Sequence, residues 1–248
     1  MTASAPEAPL LRIDAVTKNF GGFLALDNIN VEIRKGERFG LIGPNGSGKT
    51  TLVNCISGAL RPNKGAVLFA GEDITLLPAN QRSRKGVARS FQIPRPFRSM
   101  TVLENLMVAL DFAAHRDLLE TETHRRDAAM SILTRIGLVS KAYVATTTLT
   151  QVELRKMELA RAMATGPKLL ISDEAMAGLS TSEVDEVLDL LLSLGGEDIA
   201  IIMIEHIMQA VMRFSERVMC LDAGRIIAIG VPNEVMANPR VQEAYLGT

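Results

Sequence analysis

Residues 43–51 read GPNGSGKTT. They sit between an apolar segment, ERFGLIG at 37–43, and TLVNCISGAL, which has helical spacing. No other stretch decides as much about the fold. The string fits G-x-x-x-x-G-K-[ST], a motif that works only where a strand feeds it and a helix leaves it. Glycines let backbone N–H groups turn inward around a phosphate, and the helix N-terminus adds partial positive charge. The spacing predicts a phosphate cradle built from Gly43, Pro44, Asn45, Gly46, Ser47, Gly48, Lys49, Thr50 and Thr51. Lys49 is expected to reach the β- and γ-phosphates, and the Thr50 hydroxyl to bind Mg²⁺.

The rest of the chain agrees with an α/β reading. LLRIDAV at 10–16, INVEIR at 29–34 and ERFGLIG at 37–43 read as opening strands, and GAVLFAGEDI at 65–74 as a strand with a turn. The early alternation predicts an N-terminal antiparallel β portion. KLLIS at 168–172, IAIIMI at 199–204 and RVMCLD at 217–222 are later strands separated by helical segments. Such alternation implies a mostly parallel, covered sheet. From about 100 to 165, TVLENLMVALDFAA, RDAAMSILTRIGL and VELRKMELARAMA all have helical periodicity, with a charged stretch between the first two read as a solvated face or loop. The expected organisation is one nucleotide-binding domain over 1–248: a core at about 10–94 and 167–248, a helical subdomain at about 95–166, and a loose tail at 1–9.

Totals exclude several classes. A net charge of −1 argues against a nucleic-acid binder, which usually carries a clear basic excess. MTASAPEAPL at the start has no basic region followed by an apolar one, so no secretory signal is expected. No run of 18 apolar residues exists, so the chain is not expected to span a membrane by itself. Cys55 and Cys220 lie in apolar neighbourhoods and are read as buried thiols.

LLISDE at 169–174 supplies the second half of a nucleotide site. A buried strand ending in Asp173 places a carboxylate near the metal, and Glu174 follows where it can polarise a water. A GTPase would add an N-K-x-D motif; the nearest string, NKGA at 63–66, lacks the Asp. Chromosome-handling ATPases need long heptad arms, for which 248 residues leave no room. A non-transport ATPase and an ATP-binding module with weak hydrolysis remain alternatives, and measured turnover separates the second from an enzyme.

With these residues assembled, the chain resembles the ATP-binding subunits of ABC transporters over nearly its full length. The resemblance implies that Phe20 stacks on adenine. It implies that Gln92, in VARSFQ, senses Mg²⁺ and the γ-phosphate, and that His206, in IMIEH, contacts the γ-phosphate. The metal set is then Thr50, Gln92 and Asp173, and the catalytic set Glu174, His206 and Gln92. His115 and His124 have no such context and are read as ordinary structural or solvated residues. FQIPRPFRSMTVLENLMVA, DEAMAGLS and NPRVQEAYLG look like the branched-chain amino-acid uptake group, and more narrowly like the first of its two paired ATPases. Related members carry urea or amides. The resemblance implies two membrane permease chains, an extracytoplasmic solute-binding protein reached indirectly, and a place on the cytoplasmic face of the membrane. It also implies a second ATPase chain, with a heterodimer favoured over a homodimer. Arg95, Phe97 and Arg98 are candidates for permease contact.

One segment departs from the family. RKMELARA sets the register, so Leu149, Thr150, Gln151, Val152 and Glu153 stand under the signature L-S-G-G-Q. That signature faces the partner's ATP. Val152 does not match the close approach of a glycine. Glu153 either brings a negative charge toward a triphosphate or serves its own helix as a first-turn acid. Ala175 replaces the usual proline, and Ser180 stands where Asp or Asn is usual.

Overall fold

The computed structural model describes residues 8–90, 94–112, 121–195 and 199–246. Gln92, His115 and residues 1–7 of the expected tail lie outside the described residues. Two sheets organise the chain. The first is antiparallel, in the order β2-β1-β4-β5, from β1 (Leu11–Phe20), β2 (Phe23–Ile33), β4 (Lys64–Phe69) and β5 (Glu72–Asp73). The second has six strands in the order β10-β9-β3-β8-β7-β6. These are β3 (Arg38–Ile42), β6 (Val87–Ser90), β7 (Leu169–Asp173), β8 (Ala200–Ile204), β9 (Arg217–Asp222) and β10 (Arg225–Gly230). All its pairs are parallel except β9 with the edge strand β10.

Both faces of the six-stranded sheet are covered, which is why its central strands are apolar without interruption. Along β7 and β8, Leu169, Ile171, Ala200, Ile202 and Ile204 join the core between the two sheets. Helix α1 (Lys49–Ser57) is held in that core through Leu52, Val53 and Ile56, and the short α2 (Ala79–Lys85) lies against α1. The alternate residues Leu170, Ile201 and Met203 face a second core. That core contains α3 (Val102–Asp111), α4 (Glu122–Arg135), α5 (Gln151–Ala164) and α6 (Thr181–Leu194). A third cluster, from Ile42, Val211, Val218, Cys220, Val235 and Val241, seats α7 (Met208–Phe214), α8 (Pro232–Ala237) and α9 (Pro239–Leu246).

One boundary and two whole strands differ from the sequence expectation. The first two strands extend to a hairpin whose tip is Phe20-Gly21-Gly22-Phe23. Strand β6 is only four residues, too short for alternation to register. Strand β10 is a half-exposed edge whose burial has no clean period. Both cysteines are buried free thiols.

The parallel register decides where chemistry collects. Leu41 and Asp173 both pair with Ile204, so the carboxyl ends of β3, β7 and β8 lie side by side. In open α/β sheets that edge is where ligands bind. The phosphate loop leaves β3 there, Asp173 ends β7 there, and Glu205 and His206 follow β8 there.

Candidate nucleotide site

The cradle has the backbone that its glycines anticipate. Gly46 has φ +80° with open space around it, and Gly48 has φ +107° as the residue before α1. A side chain at Gly48 would meet the Ala25 carbonyl at 2.7 Å. Ser47 and Lys49 are buried, while Asn45, Gly46 and Thr50 are exposed. The Lys49 ammonium donates to the carbonyls of Gly43 and Pro44 at 2.7 and 2.9 Å. Burial holds its pKa below the ordinary lysine value, and the Glu174 carboxylate opposes that. A triphosphate would draw the same ammonium out of its carbonyl nest and offset its desolvation.

Phe20, Phe23, Ala25, Glu174 and loop residues from Asn45 to Thr51 line a cavity of about 250 Å³. Phe20 is 47% exposed and Phe23 63% exposed. Two exposed aromatic rings beside a phosphate loop suit a purine base, although the Lys18 ammonium lies 5.2 Å over the Phe20 ring. Phe23 was not expected; the Gly-Gly turn between the two phenylalanines was its sequence signal.

Asp173 is braced rather than loose. The Arg89 guanidinium donates to its Oδ2 at 2.5 Å and to Asn54 Oδ1, on α1, at 2.6 Å. Arg89 thereby ties β6, α1 and the end of β7 together and offsets the carboxylate's charge. Sequence reasoning missed it because an arginine in a four-residue edge strand looks solvent-facing. Glu174 follows with φ +47°, a left-handed conformation rare for a non-glycine residue. Its N–H donates to the Ile204 carbonyl at 2.9 Å, and its Oε1 lies 3.2 Å from His206 Nε2. Glu205, on the buried side, accepts the Met176 N–H at 2.9 Å, and burial pushes its pKa up to about 7.

The set around the loop suits Mg²⁺. It offers the exposed Thr50 hydroxyl and the second oxygen of Asp173, and no cluster of three or more His, Cys, Asp or Glu exists among the described residues. A hard ion that keeps waters and takes phosphate oxygens needs no more protein ligands than these.

The tip of α5 answers what its sequence left open. Thr150 caps the helix, and Glu153 returns to the cap, accepting the Thr150 N–H at 2.9 Å. Its other oxygen meets Lys141 at 2.5 Å. Burial raises the Glu153 pKa, but the Lys141 ammonium and the Thr150 N–H outweigh it and hold the carboxyl below its ordinary range. Its charge is thus matched and serves its own helix, as a capping box does. Val152 packs against the helical core. The Thr150 hydroxyl therefore stays at an exposed helix start together with the first-turn backbone N–H groups. Farther along α5, Arg155 donates to the Ala177 carbonyl at 3.1 Å, just past Glu174. Ser180 is likewise a capping residue, donating its N–H and hydroxyl to Glu183 at 2.8 and 2.7 Å.

A glycine-rich loop opening a helix, beside an Asp-Glu pair ending a parallel strand, defines a P-loop ATPase. The chain belongs to the ABC transporter ATP-binding family, whose model, described as "ABC transporter", matches residues 26–177. A second model, "Branched-chain amino acid ATP-binding cassette transporter", matches residues 225–248. The chain is 40% identical over 250 aligned residues to the high-affinity branched-chain amino acid transport ATP-binding protein LivG of Escherichia coli K12, covering 96% of this chain and 98% of that protein. It is 36% identical, with the same coverage, to BraF of Pseudomonas aeruginosa, which bears the same description. Among solved structures, the ADP conformation of MJ1267, an ATP-binding cassette of an ABC transporter, superposes with a TM-score of 0.88 at 31% identity. It covers 97% of this chain and 100% of that one. The enzyme activity is ATP hydrolysis.

Proposed function

We propose that the chain is one of two ATPase subunits that drive import of branched-chain amino acids through a pair of membrane permease chains. The observation that carries this reading is the match of the C-terminal segment, 225–248, to the branched-chain cassette model. The names of the full-length relatives support it. A urea or amide importer is the alternative. No helix among the described residues is long and apolar enough to cross a membrane. In this reading the chain sits on the cytoplasmic face through the permease, and an extracytoplasmic binding protein delivers the solute.

The geometry supports the following residue roles, except that of Gln92, which rests on the family resemblance alone. Phe20, with Phe23 beside it, holds the base. The loop N–H groups and Lys49 hold the phosphates. Thr50 and Asp173 would hold Mg²⁺, joined by Gln92 as the family resemblance implies, and the bound ion would neutralise phosphate charge. Glu174 accepts a proton from the attacking water, and His206, hydrogen-bonded to it, faces the γ-phosphate.

A groove of about 450 Å³ between α3, α5 and the core is lined by Phe97, Phe112, Val108, Arg89, Glu158 and Arg161 among others. It is the surface we assign to the permease. Glu158 accepts the Arg95 N–H at 3.0 Å, and Arg161 donates to the Arg95 carbonyl at 2.9 Å. The groove wall is thus tied to the body of the helix whose tip faces the partner's ATP. ATP-driven closure of the dimer moves that helix and pulls on the groove, a gating cycle rather than chemistry on the solute.

The test is reconstitution of the chain with its permease chains, partner ATPase and binding protein in liposomes. Leucine, with binding protein present, should raise ATP turnover and enter the vesicles. Stimulation by urea or short amides instead would redirect the solute assignment. In the same assembly, Val152→Gly should leave turnover within about twofold. It should also cost about 1–2 kcal/mol in a thermal melt, since it removes a packed side chain and lowers helix propensity. A rise in turnover would mean that Val152 blocks the partner's site.

A further inference from the structure

The C-terminal helix ends against the phosphate loop. Val241, 1% exposed, seats α9 in the cluster with Ile42, Val218 and Cys220. Ile42 is the last residue of β3, and Gly43 follows it. From that seat the Tyr245 hydroxyl oxygen accepts the Gly43 N–H at 2.8 Å. Gly43 is the tightest point of the loop: its φ is +147°, and a Cβ there would lie 2.1 Å from the Leu221 carbonyl oxygen. Its carbonyl accepts the Lys49 ammonium at 2.7 Å. Both polar backbone atoms of Gly43 are therefore engaged, one by a residue 202 positions away and one by the phosphate-binding lysine. Tyr245 is 38% exposed while its hydroxyl end faces the loop, and desolvation there pushes the Tyr245 pKa up to about 12.

We propose that Tyr245 is a positioning residue for the ATP site: its hydroxyl fixes the entry of the phosphate loop, so that the cradle is set before nucleotide arrives. The hydrogen bond spans the longest sequence separation in the site, and it comes from the C-terminal segment that the branched-chain cassette model covers. The Gly43 N–H donates to the Tyr245 hydroxyl, and that bond helps hold the glycine at its positive φ. Without the phenol the N–H must be met by water or left unpaired, and the loop samples other entries. Nucleotide binding then bears the cost of ordering it.

The experiment is Tyr245→Phe in the full-length chain. The ring and its packing are kept, and only the acceptor is lost. ATP affinity, read by displacement of a fluorescent ATP analogue, should weaken about three- to tenfold, the range that one lost hydrogen bond spans. KM should rise in step, kcat should stay within about twofold, and the melting temperature should move by less than about 3 °C. Val241→Ala, which loosens the seat of α9 but keeps the hydroxyl, is the companion. An unchanged affinity in Tyr245→Phe overturns the proposal. So does an affinity lost only in proportion to melting temperature, or lost in Val241→Ala alone, since the helix seat and not the hydroxyl would then matter. Because wild-type ATP binding is measured alongside, that failure is distinct from a failure of the site itself, and neither depends on the transported solute.

Discussion

Glu174→Gln should cut ATP turnover by about 10²- to 10⁴-fold while leaving ATP affinity within about threefold, the range that a lost general base commands. The reason lies in how the residue is held. Its left-handed backbone costs on the order of 1–3 kcal/mol and survives only because its surroundings over-determine it. The β7–β8 ladder continues through the bond from the Glu174 N–H to Ile204, so the chain turns without losing its pairing. The turn delivers the carboxylate to the wall of the cavity beside the loop, within 3.2 Å of His206. Glutamine keeps this shape and still offers an oxygen to His206, but it accepts no proton. Steady-state phosphate release read beside equilibrium ATP binding separates the two effects. Turnover within tenfold of wild type would remove Glu174 from the role of base. Affinity lost in parallel with turnover would make it a binding residue instead.

Much of this site was legible in the chain because parallel strands buried on both faces leave a plain record. The runs before Gly43, Asp173 and His206 are apolar since Leu41, Ile171 and Ile204 have sheet cores to fill. A loop between such a run and a helix has few other readings. What stayed hidden were interactions carried by residues that look solvated in sequence. Arg89 braces Asp173, yet in VARS it reads as an edge charge. For Glu153 the sequence leaves two readings, a charge near a partner's phosphate or a first-turn acid of its own helix, and the structure pairs it with Lys141 and its own cap. The difference rests on a contact 12 residues back in the chain, across a turn that periodicity does not describe. Tyr245 sat in a recognisable ending, but nothing in its spacing placed its hydroxyl on Gly43. Strand β6 is too short to show a period, and β10 is an edge strand not obliged to be apolar on both faces.

Arg82 is the clearest case of a hidden determinant, and its loss should be the largest stability effect in the chain. In QRSRKG it reads as one of several solvent-facing charges, yet it is 0% exposed. Its guanidinium donates to four backbone carbonyls: Leu77 at 2.9 Å, Cys55 at 2.6 Å, Ile56 at 2.8 Å and Thr75 at 2.9 Å. Two of these, Cys55 and Ile56, lie in the last turn of α1, the helix that begins at the phosphate loop. A buried cation there satisfies orphan acceptors and meets the negative end of the helix dipole. Gly58 makes room for it, since a Cβ at Gly58 would lie 2.8 Å from Arg82 Nε. Burial lowers the Arg82 pKa, but guanidinium remains charged across the neutral range. Arg82→Met keeps much of the volume and strands all four acceptors, each costing about 1–3 kcal/mol where water does not reach. Relief of the buried charge offsets part of that. The net loss should be about 3–5 kcal/mol, a fall in melting temperature of roughly 10 °C. Arg82→Lys should recover less than half of it, because one ammonium has three donors and no planar fork. Since α1 carries Lys49 and Thr50 at its other end, ATP should stabilise the methionine variant by fewer degrees than wild type at the same concentration. Equal ATP-induced shifts would show that Arg82 supports the fold without supporting the helix that holds the phosphates.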